Sequence, residues 1–161
     1  ELLQSALNYL KILMKNDDIN LIIFGGNNKD FYSKIDFKIH YFSEVNDDRI
    51  LQKLYSAADV MIVPSKLETF GQTALESLAC GTPVVAFKNT GVSDIVQHKE
   101  NGYLAEYMNE KDLANGIEWI LKNSNQNVLS INSRKRAENY FSENVILKKY
   151  QNLYNKISIK K

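Results

Sequence analysis

Apolar residues recur at helical spacing from the front of the chain: Leu3, Leu7, Leu10 and Met14, with Ala6 and Leu13 beside them. Asn16-Asp17-Asp18 ends that helix, and the unbroken run Leu21-Ile22-Ile23-Phe24 reads as a buried strand stopped by Gly25-Gly26. A polar loop leads to a second strand over 37–42. Asp47 is placed to cap a helix whose apolar positions are Ile50, Leu51, Leu54 and Ala58. A third strand, Val60-Met61-Ile62-Val63, precedes a helix over 70–79 with Ala74, Leu75 and Leu78 inward and Gly81 as its C-terminal stop. Val84-Val85-Ala86-Phe87 is a fourth strand, followed by a short helix near 92–97 and an extended piece at Gly102-Tyr103-Leu104. The rest is helical: 111–121, about 128–140, then 143–157 with Ser142 as cap.

Short apolar strands alternating with helices predict an α/β, Rossmann-like, three-layer domain built on a mostly parallel sheet covered on both faces. Ligands of such sheets lie outside the carboxyl ends of the strands, where the loops at Gly25, Ser43, Ser65 and Lys88 converge. At 161 residues the chain is one domain's worth, and 44% apolar against 24% charged residues argues against disorder. A formal net charge of +1 gives no electrostatic case for nucleic acid as the main ligand. The lone Cys80, on an apolar helix face, excludes an internal disulfide and a multi-cysteine metal site and reads as a buried thiol. With no apolar run near the roughly 20 residues that span a bilayer and no secretory signal, a cytoplasmic setting is expected. A first residue Glu1 that already sits in a helical pattern reads as part of a longer protein.

The chemistry concentrates between 63 and 76. Glu68 follows the third strand, Glu76 lies inside the next helix, and Phe70-Gly71 stands where the backbone turns into that helix. The open N–H groups of a helix start form an anion site without a metal. A carboxylate one to two turns deeper can accept hydrogen bonds from sugar hydroxyls, so the pattern suits a sugar nucleotide. Gly71 fits a phosphate approaching the amides of Phe70, Gly71 and Gln72, with a strained strand-to-helix corner as the lesser reading. Gly25-Gly26 suits a tight turn or a truncated phosphate loop, without a dinucleotide or Walker signature. Glu76 is either a solvated helix position or a charge among apolar neighbours that needs partners; Glu68 either faces a sugar ring or caps the helix. His40 reads as a core or strand-end residue and His98 as surface, which leaves no triad or zinc cluster. Arg134-Lys135-Arg136 reads as a solvated face, with an interdomain or anionic-membrane contact as the lesser reading.

Ala57-Ala58-Asp59-Val60, Val63-Pro64-Ser65, Glu68-Thr69-Phe70-Gly71, Leu75-Glu76, Gly81-Thr82-Pro83-Val84-Val85, residues 91–96 and Asn101-Gly102-Tyr103-Leu104 together resemble one family. It is the donor-binding, C-terminal half of retaining glycosyltransferases of the GT-B fold, the group 1 or GT4 family, over about 1–121. The resemblance implies transfer of a hexosyl unit from a UDP-, GDP- or ADP-sugar to an acceptor hydroxyl with retention, with no cofactor and no metal. It implies Glu68 and Glu76 as the catalytic pair, Glu76 holding the ribose and Glu68 facing the donor sugar. Ser65, Thr69 and the amides of Phe70, Gly71 and Gln72 would receive the diphosphate and sugar, Gly25 and Gly26 would border it, and Ser43, Glu44 and Val45 would border the base. Where Ser43 stands, family members often carry Gly.

The same resemblance implies a preceding domain that brings the acceptor (a glycan, lipid or small molecule), here absent, and a helical tail from about 125 to 161. It also implies an opening strand, with an Arg and a Lys, before the helix that begins this chain. That strand lies mid-sheet in the order 3-2-1-4-5-6, so the chain without it should expose two unpaired edges and be unstable alone or completed by another segment. The chain alone should bind nucleotide weakly and turn nothing over. Other uses of the architecture are a sugar-nucleotide epimerase, a phosphorylase and a non-catalytic nucleotide-sugar-binding module; peripheral association with the inner face of a membrane is a further expectation.

Overall fold

In the computed structural model, which describes residues 2–15, 18–25 and 35–158, strands and helices alternate in the expected order. Helix α1 (Leu2–Leu13) leads to strand β1 (Asn20–Phe24), and β2 (Lys38–Phe42) to α2 (Asp48–Ala57). Strand β3 (Met61–Val63) leads to α3 (Gln72–Ala79), and β4 (Val84–Phe87) to a 3-10 turn (Gly91–Asp94). Strand β5 (Gly102–Ala105) and helices α4 (Glu110–Leu121), α5 (Gln126–Phe141) and α6 (Glu143–Ser158) complete the chain. The readings at Asn16, Asp17 and Gly26 fall outside the described residues. The helix expected near 92–97 is a single 3-10 turn that ends sooner, with Ile95 and Val96 both donating to the Val92 carbonyl.

Strand β4 shows why the domain has three layers. All four of its residues are buried, and their period-2 alternation sends neighbours to opposite faces. Val85 and Phe87 join Leu7 and Leu10 of α1 and Leu113 and Ile117 of α4. Val84 and Ala86 join Ala74 and Leu78 of α3, Val92 and Ile95 of the 3-10 turn, and Ala137 of α5. Burying each large apolar side chain contributes about 1.5–3 kcal/mol, so these two layers anchor the fold.

Every strand pairing is parallel, and the strands form two sheets, β1–β2 and β3–β4–β5. A cavity of about 980 Å³ separates the two sheets, lined by Leu21 and Ile23 of β1, Met61 and Ile62 of β3, Leu10 of α1 and Leu54 of α2. The β1 and β3 edges on this side have no strand partner among the described residues. This corrects the burial of Leu21-Ile22-Ile23-Phe24, which is only half-buried. The run has the composition of a central strand, apolar on both faces, but it meets open space along one edge.

Helix ends follow local chemistry. The Asp47 carboxylate accepts from the amides of Arg49 (2.8 Å) and Ile50 (3.4 Å), capping α2 as its sequence predicts. The inward stripe of α2 is Leu51, Leu54, Tyr55 and Ala58; Tyr55 is buried, whereas Ile50, expected inside, lies off that stripe and is 46% exposed. At the end of α3 the Gly81 N–H donates to Leu78 O and the Thr82 N–H to Ser77 O, both at 2.9 Å, a Schellman closure. Arg136, half-buried, departs from the solvated-face reading, while Arg134 stays exposed. Arg134 donates to the Ala79 carbonyl and to Glu138, and Arg136 to the carbonyls of Asp94 (2.7 Å) and Ile95 (3.2 Å). The carbonyls that end a helix carry partial negative charge, which favours both cations there; Lys135, like Arg134, stays exposed. Among the described residues no helix is long and apolar enough to cross a membrane.

Candidate functional site

The backbone leaving β3 runs through half-buried Pro64 and Ser65 to an exposed tip at Lys66 and Leu67, then turns into α3. Gly71 is the N-cap residue at φ +90°, and a Cβ there would lie 2.7 Å from Val92 Cγ2. Conformation and packing both demand glycine at this corner, a reason complete without a ligand. No side chain caps α3, and the N–H groups of Gln72 and Thr73 meet no protein acceptor among the described residues. Both residues are exposed, so these orphan donors of the first turn face solvent.

The loop before α3 is fixed from the side. The Gly91 N–H donates to the Glu68 carbonyl at 2.6 Å, and a Cβ at Gly91 would collide with the Thr69 carbonyl. Phe70 packs edge-on against Phe141, with ring centroids 5.9 Å apart. The Glu68 carboxylate is half-buried and the Thr69 side chain exposed; neither has a hydrogen-bond partner among the described residues.

Glu76 lies one turn beyond Gln72 on α3 and is half-buried. Its Oε2 accepts from the Tyr55 hydroxyl at 3.0 Å and its Oε1 from the Gln72 amide at 3.2 Å. The partners that a charge in this setting requires are therefore, in part, the protein's own. Tyr55 is 2% exposed, its ring edge-on to Phe24 at 5.5 Å. Its carbonyl accepts from the Thr82 hydroxyl at 2.7 Å. Burial, and then the Glu76 carboxylate, push the ionisation of Tyr55 far above the ordinary phenol range. Sequence reasoning gave Tyr55 no role. The signal was there: an aromatic with a polar tip on the inward stripe of a helix needs a buried partner.

Gly25 (φ +72°) donates its N–H to the Ser43 carbonyl at 3.2 Å, joining the loops that leave β1 and β2. Ser43 and Glu44 are exposed and Val45 is half-buried. Gly25 and Phe24 line the cavity between the sheets, as do Tyr55 and Thr73. From the two groups of expected site residues, Gly25 and the stretch 65–76 each reach this cavity at one point, Gly25 itself and Thr73, and Tyr55 touches both Phe24 and Glu76. His40 is an exposed strand residue whose Nε2 lies 3.1 Å from Asn20 Oδ1. His98 accepts from the Leu104 N–H at 3.1 Å through Nδ1; burial, and then Lys99, lower its basicity. Burial raises the pKa of Cys80, which is half-buried.

Unsatisfied amides at a helix start attract a polyanion, and an acceptor-only carboxylate a turn deeper recognises hydroxyl donors. A family model described as "Glycosyl transferases group 1" matches residues 2–143. The chain is 32% identical to an uncharacterised glycosyltransferase of Methanocaldococcus jannaschii, over 94% of this chain and 42% of that protein. It is 28% identical to the capsular polysaccharide biosynthesis glycosyltransferase CapM of Staphylococcus aureus, over 96% of this chain and 42% of that protein. The structure of sucrose-phosphate synthase from Thermosynechococcus elongatus superposes with a TM-score of 0.74 at 25% identity, covering 99% of this chain and 43% of that one. The chain spans about 42% of the length of the curated relatives it matches.

Proposed function

Since the chain belongs to the group 1 glycosyltransferases, we propose that it is the donor-binding part of an enzyme that moves a hexosyl unit from a nucleoside diphosphate sugar to an acceptor hydroxyl, with retention of configuration. The observation that carries this reading is the start of α3: free amides at Gln72 and Thr73, with the Glu76 carboxylate one turn further in. The diphosphate lies against the amides and the ribose hydroxyls against Glu76. Glu68, without a protein partner among the described residues, faces the donor sugar. As the glycosidic bond breaks, negative charge grows on the departing diphosphate. Preorganised donors stabilise it there at little reorganisation cost. Gly25, Ser43, Glu44 and Val45 border the base. The acceptor, whether glycan, lipid or small molecule, arrives through the part of the protein outside this chain, on the cytoplasmic side of a membrane where the acceptor is lipid-linked.

Calorimetric titration of the full-length protein with UDP-, GDP- and ADP-linked sugars tests this reading. One of them should bind, and Glu76→Ala should weaken it by about 1–3 kcal/mol, the worth of hydrogen bonds to a charged acceptor. Unchanged binding by Glu76→Ala, or no binding of any of the three by the native protein, would remove the basis for the assignment.

A further inference from the structure

Resting on the donor-binding reading above, we propose that Tyr55 is a positioning residue of the ribose site, holding Glu76 so that its unused acceptor positions face the ribose 2′,3′-diol. A glutamate on a helix flank has three rotatable bonds and, in water, no reason to prefer one orientation. Here a single phenol fixes Oε2, at 3.0 Å. That phenol cannot drift. Its ring is buried and braced against Phe24, and its own carbonyl is held by Thr82. Thr82 is fixed in turn by its backbone, which exchanges hydrogen bonds with Ser77 through the Thr82 N–H (2.9 Å) and the Thr82 carbonyl (3.0 Å). Strand β1, helix α2 and the turn after α3 therefore converge on one carboxylate oxygen.

The other oxygen is treated differently. Oε1 accepts from the side-chain amide of Gln72, an exposed residue at the mouth of the site. A carboxylate offers about two acceptor positions on each oxygen. Tyr55 occupies one on Oε2, and Gln72 occupies one on Oε1. One position remains on each, the complement of two neighbouring hydroxyl donors. A neutral phenol is suited to this task. An ammonium or guanidinium in its place would fix the carboxylate equally well but neutralise the charge that makes it a strong acceptor.

The test is Tyr55→Phe in the full-length protein, which keeps the ring against Phe24 and removes only the hydroxyl. Binding is measured by calorimetry for UDP, GDP and ADP, then for the 2′,3′-dideoxy form of whichever binds best. The expected result is five- to tenfold weaker binding of the ribonucleotide, with the dideoxy form bound as by the native protein. Glu76→Gln should shrink the preference for ribose in the same way. Equal weakening of both nucleotides would show a merely structural role and overturn the proposal, as would unchanged binding of both. Failure of the native protein to bind any nucleotide overturns the donor reading itself and this proposal with it. A ligand-free measurement separates the parts: in alkaline absorbance titration, Tyr55 and Tyr103, both hydrogen-bonded to a carboxylate, should ionise later than ordinary phenols, and Glu76→Gln should bring one of the two late ionisations, that of Tyr55, down. If that substitution leaves both late tyrosines unmoved, the Tyr55–Glu76 bond does not form and the proposal fails whatever the nucleotides do.

Discussion

Alanine substitutions at Gly25 and Gly91 separate two reasons for glycine, and the structure orders their costs. At Gly25 the backbone sits at φ +72° and a Cβ would have no atom of the described residues within 4 Å. The cost there is conformational, about 1–2 kcal/mol for an L-residue held in the left-handed region. A less flexible unfolded chain returns about 0.4–1 kcal/mol of it. Gly91 is outside the left-handed region, and its limit is space. A Cβ would meet the carbonyls of Thr69 and Glu68, backbone atoms that cannot rotate away. Overpacking of that kind costs about 1–3 kcal/mol. Displacement also strains the 2.6 Å bond from Gly91 to Glu68, worth about 0.5–1.5 kcal/mol more. Gly91→Ala should therefore destabilise by about 2–3 kcal/mol and Gly25→Ala by about 1 kcal/mol or less. Urea unfolding reads both, through the shift in midpoint at constant slope. Because Gly91 clamps the loop that carries Glu68 and Thr69, its substitution should also weaken nucleotide binding. A Gly25→Ala cost equal to or above that of Gly91→Ala would refute the argument from close approach.

Two further outcomes follow from other parts of the molecule. His98 is less basic in the folded state than in the unfolded chain, so its contribution to stability is complete above pH 6.5 and is lost as pH falls through the lowered folded value. NMR titration should place its pKa below that of a free histidine, and His98→Gln should flatten this part of the stability profile; a normal or raised pKa would contradict the burial argument. The apolar cavity between β1 and β3 should make the 161-residue chain alone bind a hydrophobic dye such as anilinonaphthalene sulfonate while it still unfolds cooperatively in urea. No fluorescence gain would mean that the two strand edges close on each other in solution.

How much was legible beforehand depends on how local each feature is. The strand at Val84–Phe87, the Asp47 cap and the helix face of Leu3, Leu7 and Leu10 were all readable, because each depends on residues within a few positions of one another. The corner at Phe70-Gly71 was readable as a special place, but its cause was not. Val92, which fills the space beside Gly71, is 21 residues away, the difference between those two numbers. The carbonyl partners of Arg134 and Arg136, at Ala79, Asp94 and Ile95, could not be read beforehand because they belong to distant turns.

The sequence alone determined an alternating α/β chain with a two-faced apolar core and a carboxylate-bearing helix after β3, since periodicity and turn chemistry act over single turns and strands. The tertiary structure alone decided that Tyr55 meets Glu76 and that Gly91 braces the loop of Glu68. Each of these requires two segments far apart in the chain to pack together, and such pairings are set by the shape of the whole core, which no local window of residues encodes.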